Sequence, residues 1–357
     1  MSSFKHLIRE DIQALAAYHV QPAQRMVKLD AMENPYGLPE SLLDEIGSLA
    51  AHAEINRYPD PNASELKRRL REVMAIPSEA GLILGNGSDE LIQIIAMALA
   101  KPGAVLLAPE PSFVMFRMIA TFCGLRFVGV DLRDDFSLDE QAMLAAVKEH
   151  KPAVTFLAYP NNPTGNLFDA NVVQRIIEDS PGLVVVDEAY FAFSPASFLP
   201  SLQRFPNLLV MRTVSKLGLA GLRLGLLAGA PEIIGELDKL RLPYNINVLT
   251  QRLAERLLQD YSLLQDQAAR ICADRTRLME ALLSVPGVQP FESQANFILF
   301  RVPSAALVFD GLKRRGILLK NLSVAHPLLS DCLRVTVGTP EENEVFIKVL
   351  RDLVING

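Results

Sequence analysis

Gly182-Leu183-Val184-Val185-Val186-Asp187-Glu188-Ala189-Tyr190 runs four apolar residues, three of them valine, straight into two carboxylates. An unbroken run of this kind reads as a strand buried on both faces, which is the habit of a parallel sheet. Asp187 then falls at the carboxyl end of that strand, where open α/β sheets bind their ligands. A carboxylate buried there needs a cation or hydrogen-bond donors. A protonated pyridine nitrogen is one such partner; capping of the following segment is the other role open to Asp187. The next apolar run, Leu208-Leu209-Val210-Met211, leads into Thr213-Val214-Ser215-Lys216. An ammonium at the end of a buried strand is pushed towards desolvation, which favours the neutral amine. A neutral amine can form a Schiff base with an aldehyde. The alternative is a lysine that only snorkels to solvent.

Similar runs flank these two. Ala104–Leu107, Phe127–Val130, Val154–Leu157 and Leu224–Ala228 alternate with helical patterns. That alternation predicts an α/β fold with a mainly parallel sheet between helices. After Pro243 the pattern changes. Val248–Leu283 reads as one long helix, and Asn296–Val302 and Leu333–Val337 read as strands.

Three further strings sit at strand ends. Leu84-Gly85-Asn86-Gly87-Ser88-Asp89-Glu90 reads as a turn that opens a helix. Its glycines allow close backbone approach, and free N–H groups at a helix start suit a phosphate. It lacks the Lys-Ser/Thr pair of a Walker loop and the third glycine of a dinucleotide fingerprint. An ordinary Ser-capped helix is the plainer reading. Ala158-Tyr159-Pro160-Asn161-Asn162-Pro163-Thr164-Gly165 is a rigid turn whose asparagine amides can donate to a phenolic oxygen. Gly218-Leu219-Ala220-Gly221-Leu222-Arg223-Leu224-Gly225 places one arginine in an apolar, glycine-rich stretch. Such an arginine seeks a planar anion such as phosphate, or a structural ion pair.

The chain of 357 residues is long enough for one large and one smaller domain, and half of it is hydrophobic. Its net charge of −6, with no basic block, gives nucleic-acid binding no support. Cys123, Cys272 and Cys332 are scattered, which suggests neither disulfides nor a metal site and fits free thiols in a reducing cytoplasm. No apolar stretch is long enough to span a bilayer, and residues 1–20 lack the apolar core of a signal peptide.

Asn161-Asn162-Pro163-Thr164-Gly165, Asp187-Glu188-Ala189-Tyr190, Ser215-Lys216 and Gly221-Leu222-Arg223-Leu224-Gly225, in this order and spacing, resemble the fold-type I, class I/II aminotransferases that depend on pyridoxal 5'-phosphate (PLP). Within that family Met32-Glu33-Asn34-Pro35, Arg57-Tyr58-Pro59-Asp60, Gly85–Glu90 and Leu333–Pro340 look most like the histidinol-phosphate branch. The resemblance runs from about residue 10 to the C-terminus. It implies a seven-stranded, mainly parallel sheet in a large PLP-binding domain (35–245), an N-terminal arm (1–34) contributing to the small domain, and a C-terminal small α/β domain (246–357).

It also implies roles. Lys216 would carry PLP as an internal aldimine and later shuttle a proton. Asp187 would keep the pyridine nitrogen protonated. Tyr190 and Asn162 would hydrogen-bond the ring's phenolic oxygen. Gly87, Ser88, Asp89, Thr213, Ser215 and Arg223 would form the phosphate pocket, with Tyr58 reaching the neighbouring subunit's cofactor in a homodimer. Phe113 would stack on the ring, where the family often has tyrosine. Arg334 would bind the donor's carboxylate, and Asn34, Tyr18 and Asn296 would lie near the substrate. Lys216 to Arg223 is one residue shorter than in many relatives. Lys320 stands where relatives often have arginine, which leaves its contact with a substrate phosphate open. No metal is implied.

The implied reaction is ping-pong transamination between glutamate and imidazole-acetol phosphate, giving 2-oxoglutarate and histidinol phosphate, in the cytoplasm and in histidine biosynthesis. An aromatic or broad-specificity aminotransferase would share every cofactor residue, and a threonine-phosphate decarboxylase would share the scaffold. A PLP-binding regulator is disfavoured by the lack of a basic helix pair. A nicotinamide dehydrogenase is disfavoured by the missing G-x-G-x-x-G.

Overall fold

The computed structural model describes residues 4–17 and 21–356. Its strands are β1 (Val27–Lys28), β2 (Gly81–Asn86), β3 (Val105–Glu110), β4 (Arg126–Asp131), β5 (Val154–Ala158), β6 (Leu183–Asp187), β7 (Leu208–Thr213), β8 (Leu224–Gly229), β9 (Gln289–Pro290), β10 (Phe297–Arg301), β11 (Ile317–Leu318), β12 (Lys320–Asn321) and β13 (Cys332–Thr336).

Seven of these form the central sheet, in the order β2-β8-β7-β6-β5-β3-β4. β8 runs antiparallel to both its neighbours, and the remaining pairs are parallel. This is the mainly parallel α/β sheet that the apolar runs predict. Both faces are covered. Val184 and Val186 of β6 pack into one core with Leu208 and Val210, while Val185 packs into the other with Leu209 and Met211. The chain leaves β3 for β4 on one side and returns to β5 on the other. That reversal opens a crevice at the carboxyl ends of the strands, between the turns that follow Glu110 and Ala158.

β12-β13-β10-β9 form a four-stranded antiparallel sheet with its own apolar core, which includes Phe297, Phe300, Val335 and Phe346. β1 pairs in parallel with β11, so residues 27–28 join the C-terminal third.

Two local readings change. Val248–Leu283 is not one helix: helices Val248–Leu257 and Tyr261–Leu283 meet at a 3-10 turn, Leu258–Asp260. β2 runs through Asn86, into the stretch where only a turn was expected. Its glycines mark close packing rather than loops. A Cβ at Gly81 would lie 2.7 Å from Ile234, and one at Gly85 would lie 2.6 Å from Leu91.

Candidate active site

Asp187 ends β6 and is 4 % exposed. Its Oδ1 accepts the Ala189 N–H at 3.0 Å, so it also caps the turn that carries Tyr190. Burial outweighs that hydrogen bond and pushes the carboxyl up to about 7. Across the cleft, the chain leaves β7 and tightens into a 3-10 turn, Ser215–Leu217. Lys216 Nζ donates to Ala31 O at 3.2 Å and lies 5.8 Å from the centre of the Tyr190 ring. Burial, and next the Arg334 guanidinium, bring the amine down to about 8. A lysine of this kind is a usable base and nucleophile near neutral pH.

Asp187, Lys216, Tyr190, Asn162, Phe113, Ser88, Asp89, Thr213, Ser215 and Arg223 share the wall of one cleft of about 110 Å³. Helix Ser88–Leu99 points its N-terminus into this cleft with Gly87 as N-cap, at φ +85°. Ser88 is thus the first helical residue and not the cap. A Cβ on Gly87 would lie 2.6 Å from Arg223 Nη2, and one on Gly225 would lie 2.7 Å from Ser88 N. Glycine at both positions lets the guanidinium settle over the free N–H groups. The Thr213 hydroxyl donates to Ser215 Oγ at 2.9 Å beside them. Donors of three kinds (backbone N–H, hydroxyl and guanidinium) converge there, as an anion site requires.

Asn162 bridges to a second cleft. Its Nδ2 donates to Tyr190 OH at 3.2 Å, and its Oδ1 accepts from Arg334 Nη1. Arg334 Nη2 donates to Asp30 O at 3.0 Å. The second cleft, of about 230 Å³, shares Met32, Phe113 and Asn162 with the first and adds Arg334 and Lys320. Lys320 and Arg334 are register partners on β12 and β13. Lys320, left open by the sequence, therefore lies beside the arginine as a second cation of the same wall.

Two residues expected near the substrate, Asn34 and Asn296, make contacts within the protein beside the cleft. Asn34 Nδ2 donates to Leu217 O at 3.1 Å and Gln267 Oε1 at 2.8 Å, and its Oδ1 accepts the Tyr36 N–H. Its amide is committed to bracing the turn behind Lys216. Asn296 is fully buried, and its Nδ2 donates to Met32 O at 2.9 Å. Both asparagines line neither cleft; they anchor segment 30–34 beside the amine. Tyr18 lies outside the described residues. Tyr58 is 81 % exposed, stacks on Tyr244 at 4.4 Å and lines neither cleft of its own chain. Met32, which the sequence reading did not single out as a wall residue, lines both clefts with a left-handed backbone, φ +53°. A positive φ at methionine has no sequence signal.

The family model for aminotransferase class I and II matches residues 24–350. The chain belongs to the class I and II aminotransferases. This aminotransferase is 56 % identical to histidinol-phosphate aminotransferase 1 of Ralstonia nicotianae, over 96 % of this chain and 92 % of that one. It is 55 % identical to histidinol-phosphate aminotransferase 2 of Nitrosococcus oceani, over 96 % of each. The solved histidinol-phosphate aminotransferase of Sinorhizobium meliloti, in complex with pyridoxal-5'-phosphate, superposes with a TM-score of 0.88 at 26 % identity and 99 % coverage of both chains.

The aminotransferase cleft has the donor set such a cofactor needs. Its wall brings together an anion pocket, a buried carboxylate, the Phe113 ring and a lysine. The Asp89 Oδ1 atom is buried with no hydrogen-bond partner. No helix among the described residues is long and apolar enough to cross a membrane.

Proposed function

We propose that this enzyme exchanges an amino group between L-glutamate and imidazole-acetol phosphate, producing 2-oxoglutarate and histidinol phosphate for histidine biosynthesis, with PLP as cofactor. The observation that carries this reading is the second cleft. It opens off the Lys216 cleft through Asn162 and sets Arg334 beside Lys320. Two adjacent cations suit a site that must accept a carboxylate in one half-reaction and a phosphate ester in the other. The names and identities of the curated relatives support the same substrate.

PLP supplies an aldehyde that exchanges with amines and a ring that takes up the electron pair when the substrate Cα–H bond breaks. Lys216 Nζ would hold PLP through its aldehyde and, once displaced by the substrate amine, would be the base that carries the proton taken from the substrate carbon. Asp187 would keep the ring nitrogen protonated, and that cation would supply the counter-charge for its buried carboxylate. Tyr190 OH, steadied by Asn162, would donate to the ring oxygen. Ser88, Thr213, Ser215 and Arg223 hold the phosphate with the backbone N–H groups that follow Gly87. Steady-state rates test the substrate. Parallel lines in double-reciprocal plots and a kcat/KM for imidazole-acetol phosphate far above that for phenylpyruvate are expected. The reverse preference would make it an aromatic aminotransferase.

Arg334→Ala is expected to lower kcat/KM for glutamate by about 10²- to 10³-fold, the loss of two charge-assisted hydrogen bonds. Single-turnover measurement of the glutamate half-reaction checks it. An unchanged rate would remove Arg334 from carboxylate binding.

We further infer a homodimer with shared sites. Ile55, Tyr58 and Leu242 are exposed apolar groups, with Tyr58 stacked on Tyr244 two residues after Leu242, and exposed apolar groups of this kind favour burial against another chain. Tyr58 would reach the partner's phosphate pocket. Tyr58→Phe, which keeps the stack on Tyr244 and removes one hydroxyl, is expected to weaken PLP binding about 10-fold or more. A cofactor titration checks it, and unchanged affinity would place Tyr58 outside the pocket. The three cysteines are unpaired, which supports a reducing compartment, the cytoplasm.

A further inference from the structure

Glu188 and Arg212 form an ion pair that is 0 % and 6 % exposed. Residues alternate along β7, so Arg212 points to the face of the sheet opposite Thr213 and the cleft. Arg212 Nε donates to Glu188 Oε2 at 2.9 Å, Nη2 to Ser197 Oγ at 2.9 Å, and Nη1 to Met74 O at 3.2 Å. Its guanidinium lies 4.4 Å from the centre of the Phe191 ring. Glu188 in turn accepts the Phe198 N–H at 2.6 Å on Oε1 and the Ser197 hydroxyl at 3.0 Å on Oε2.

These contacts converge on one piece of chain. The Glu188 carboxylate ties residue 188 to residues 197 and 198, closing a loop side chain to backbone. Arg212 ties the closed loop to β7 and covers Phe191 within it. Tyr190 is carried by this loop, and its ring packs edge-on against Phe297 at 5.2 Å. Stability alone is a weak account of the pair, because a buried ion pair is commonly no better than an apolar one of the same volume.

We propose that Glu188, Arg212 and Ser197 form a positioning clasp that fixes the 188–198 loop and thereby holds the Tyr190 phenol at hydrogen-bonding distance from the cofactor's ring oxygen. This rests on the role given to Tyr190 in the preceding section. A phenol donating to that oxygen stabilises its anionic form and so eases loss of the proton from the neighbouring nitrogen. The clasp therefore lowers the pH midpoint of the cofactor's visible band, and opening it raises the midpoint.

The test uses PLP-loaded protein without substrate and reads that midpoint in five proteins: wild type, Tyr190→Phe, Ser197→Ala, the paired variant Arg212→Met with Glu188→Gln, and the triple variant that adds Tyr190→Phe to the pair. The paired change removes both charges together, so neither is stranded in the interior. Tyr190→Phe is expected to raise the midpoint by about half a pH unit or more. The paired variant is expected to raise it part of the way, and the triple variant no further than Tyr190→Phe alone. Ser197→Ala, which takes one bond from the clasp and no charge, is expected to give a smaller rise and decides the matter if the paired variant does not fold. A paired variant with the wild-type midpoint overturns the proposal, whatever its melting temperature. So does a paired change that shifts the midpoint equally with and without the Tyr190 hydroxyl. If Tyr190→Phe itself leaves the midpoint unmoved, the assigned role of Tyr190 fails and the clasp fails with it; if only the paired and Ser197 variants are silent, the clasp alone fails.

Discussion

Lys216→Ala is expected to lower turnover by about 10⁴-fold or more, with the cofactor phosphate still bound. The side chain supplies both the covalent anchor and the proton carrier, and no other lysine lines the first cleft. Its amine is already down at about 8 because burial and the Arg334 charge disfavour the ammonium. A substitute must be both desolvated and mobile. Lys320, the other lysine of the joined clefts, stands beside Arg334 on a separate sheet. The check is a single-turnover rate together with the visible spectrum of the loaded variant. Retention of more than a small fraction of the wild-type rate would show that another base carries the proton.

Asp187→Asn is expected to act in two directions. Turnover falls by about 10²- to 10³-fold or more, because the ring nitrogen loses the anion that keeps it protonated. The cofactor-free protein becomes more stable at pH 8. In the unfolded chain this carboxyl titrates near 3.8, and in the fold at about 7. Between those values the folded state keeps a proton that the unfolded state has released. Stability therefore falls as pH rises from about 4 to 7, and the whole cost is present above 7. Asparagine keeps an oxygen for the Ala189 N–H and carries no charge, so removing the cost stabilises by about 2–4 kcal/mol at pH 8. Lys216 acts with the opposite sign. Its pKa falls from 10.5 to about 8, so its contribution to stability rises between those values. Cofactor-free wild type thus has its least favourable contribution from this pair near pH 7–8. Melting curves of wild type and variant at pH 5 and pH 8 check the prediction. A variant that gains nothing at pH 8 relative to pH 5 would mean that Asp187 is not a buried anion there.

The parts of this site that the sequence reveals are those where one residue breaks a strong local pattern. Asp187 and Lys216 each follow an apolar run, and a charge at the end of a buried strand stands out. The fold follows from the same runs, since β5, β6, β7 and β8 are buried along their length with one intermediate residue. β2 is harder to see because three apolar residues stand between glycines that serve helix packing. The turn at Leu258–Asp260 is hidden because residues on both sides keep a helical pattern. Asn34 and Asn296 show the limit most directly. An asparagine near a predicted site reads as a ligand contact, yet both amides serve backbone groups of segment 30–34 or the turn beside it. The approach of Lys320 to Arg334, and of Arg212 to Glu188, is a matter of register between strands. Register depends on pairing across the sheet and leaves little local trace.

One half-reaction tests the central claim. PLP-loaded protein is mixed with histidinol phosphate and no acceptor, and its visible spectrum is followed. Loss of the resting band with one imidazole-acetol phosphate formed per Lys216 is the predicted result. A protein whose band is bleached by glutamate and ignores histidinol phosphate would contradict the substrate assignment.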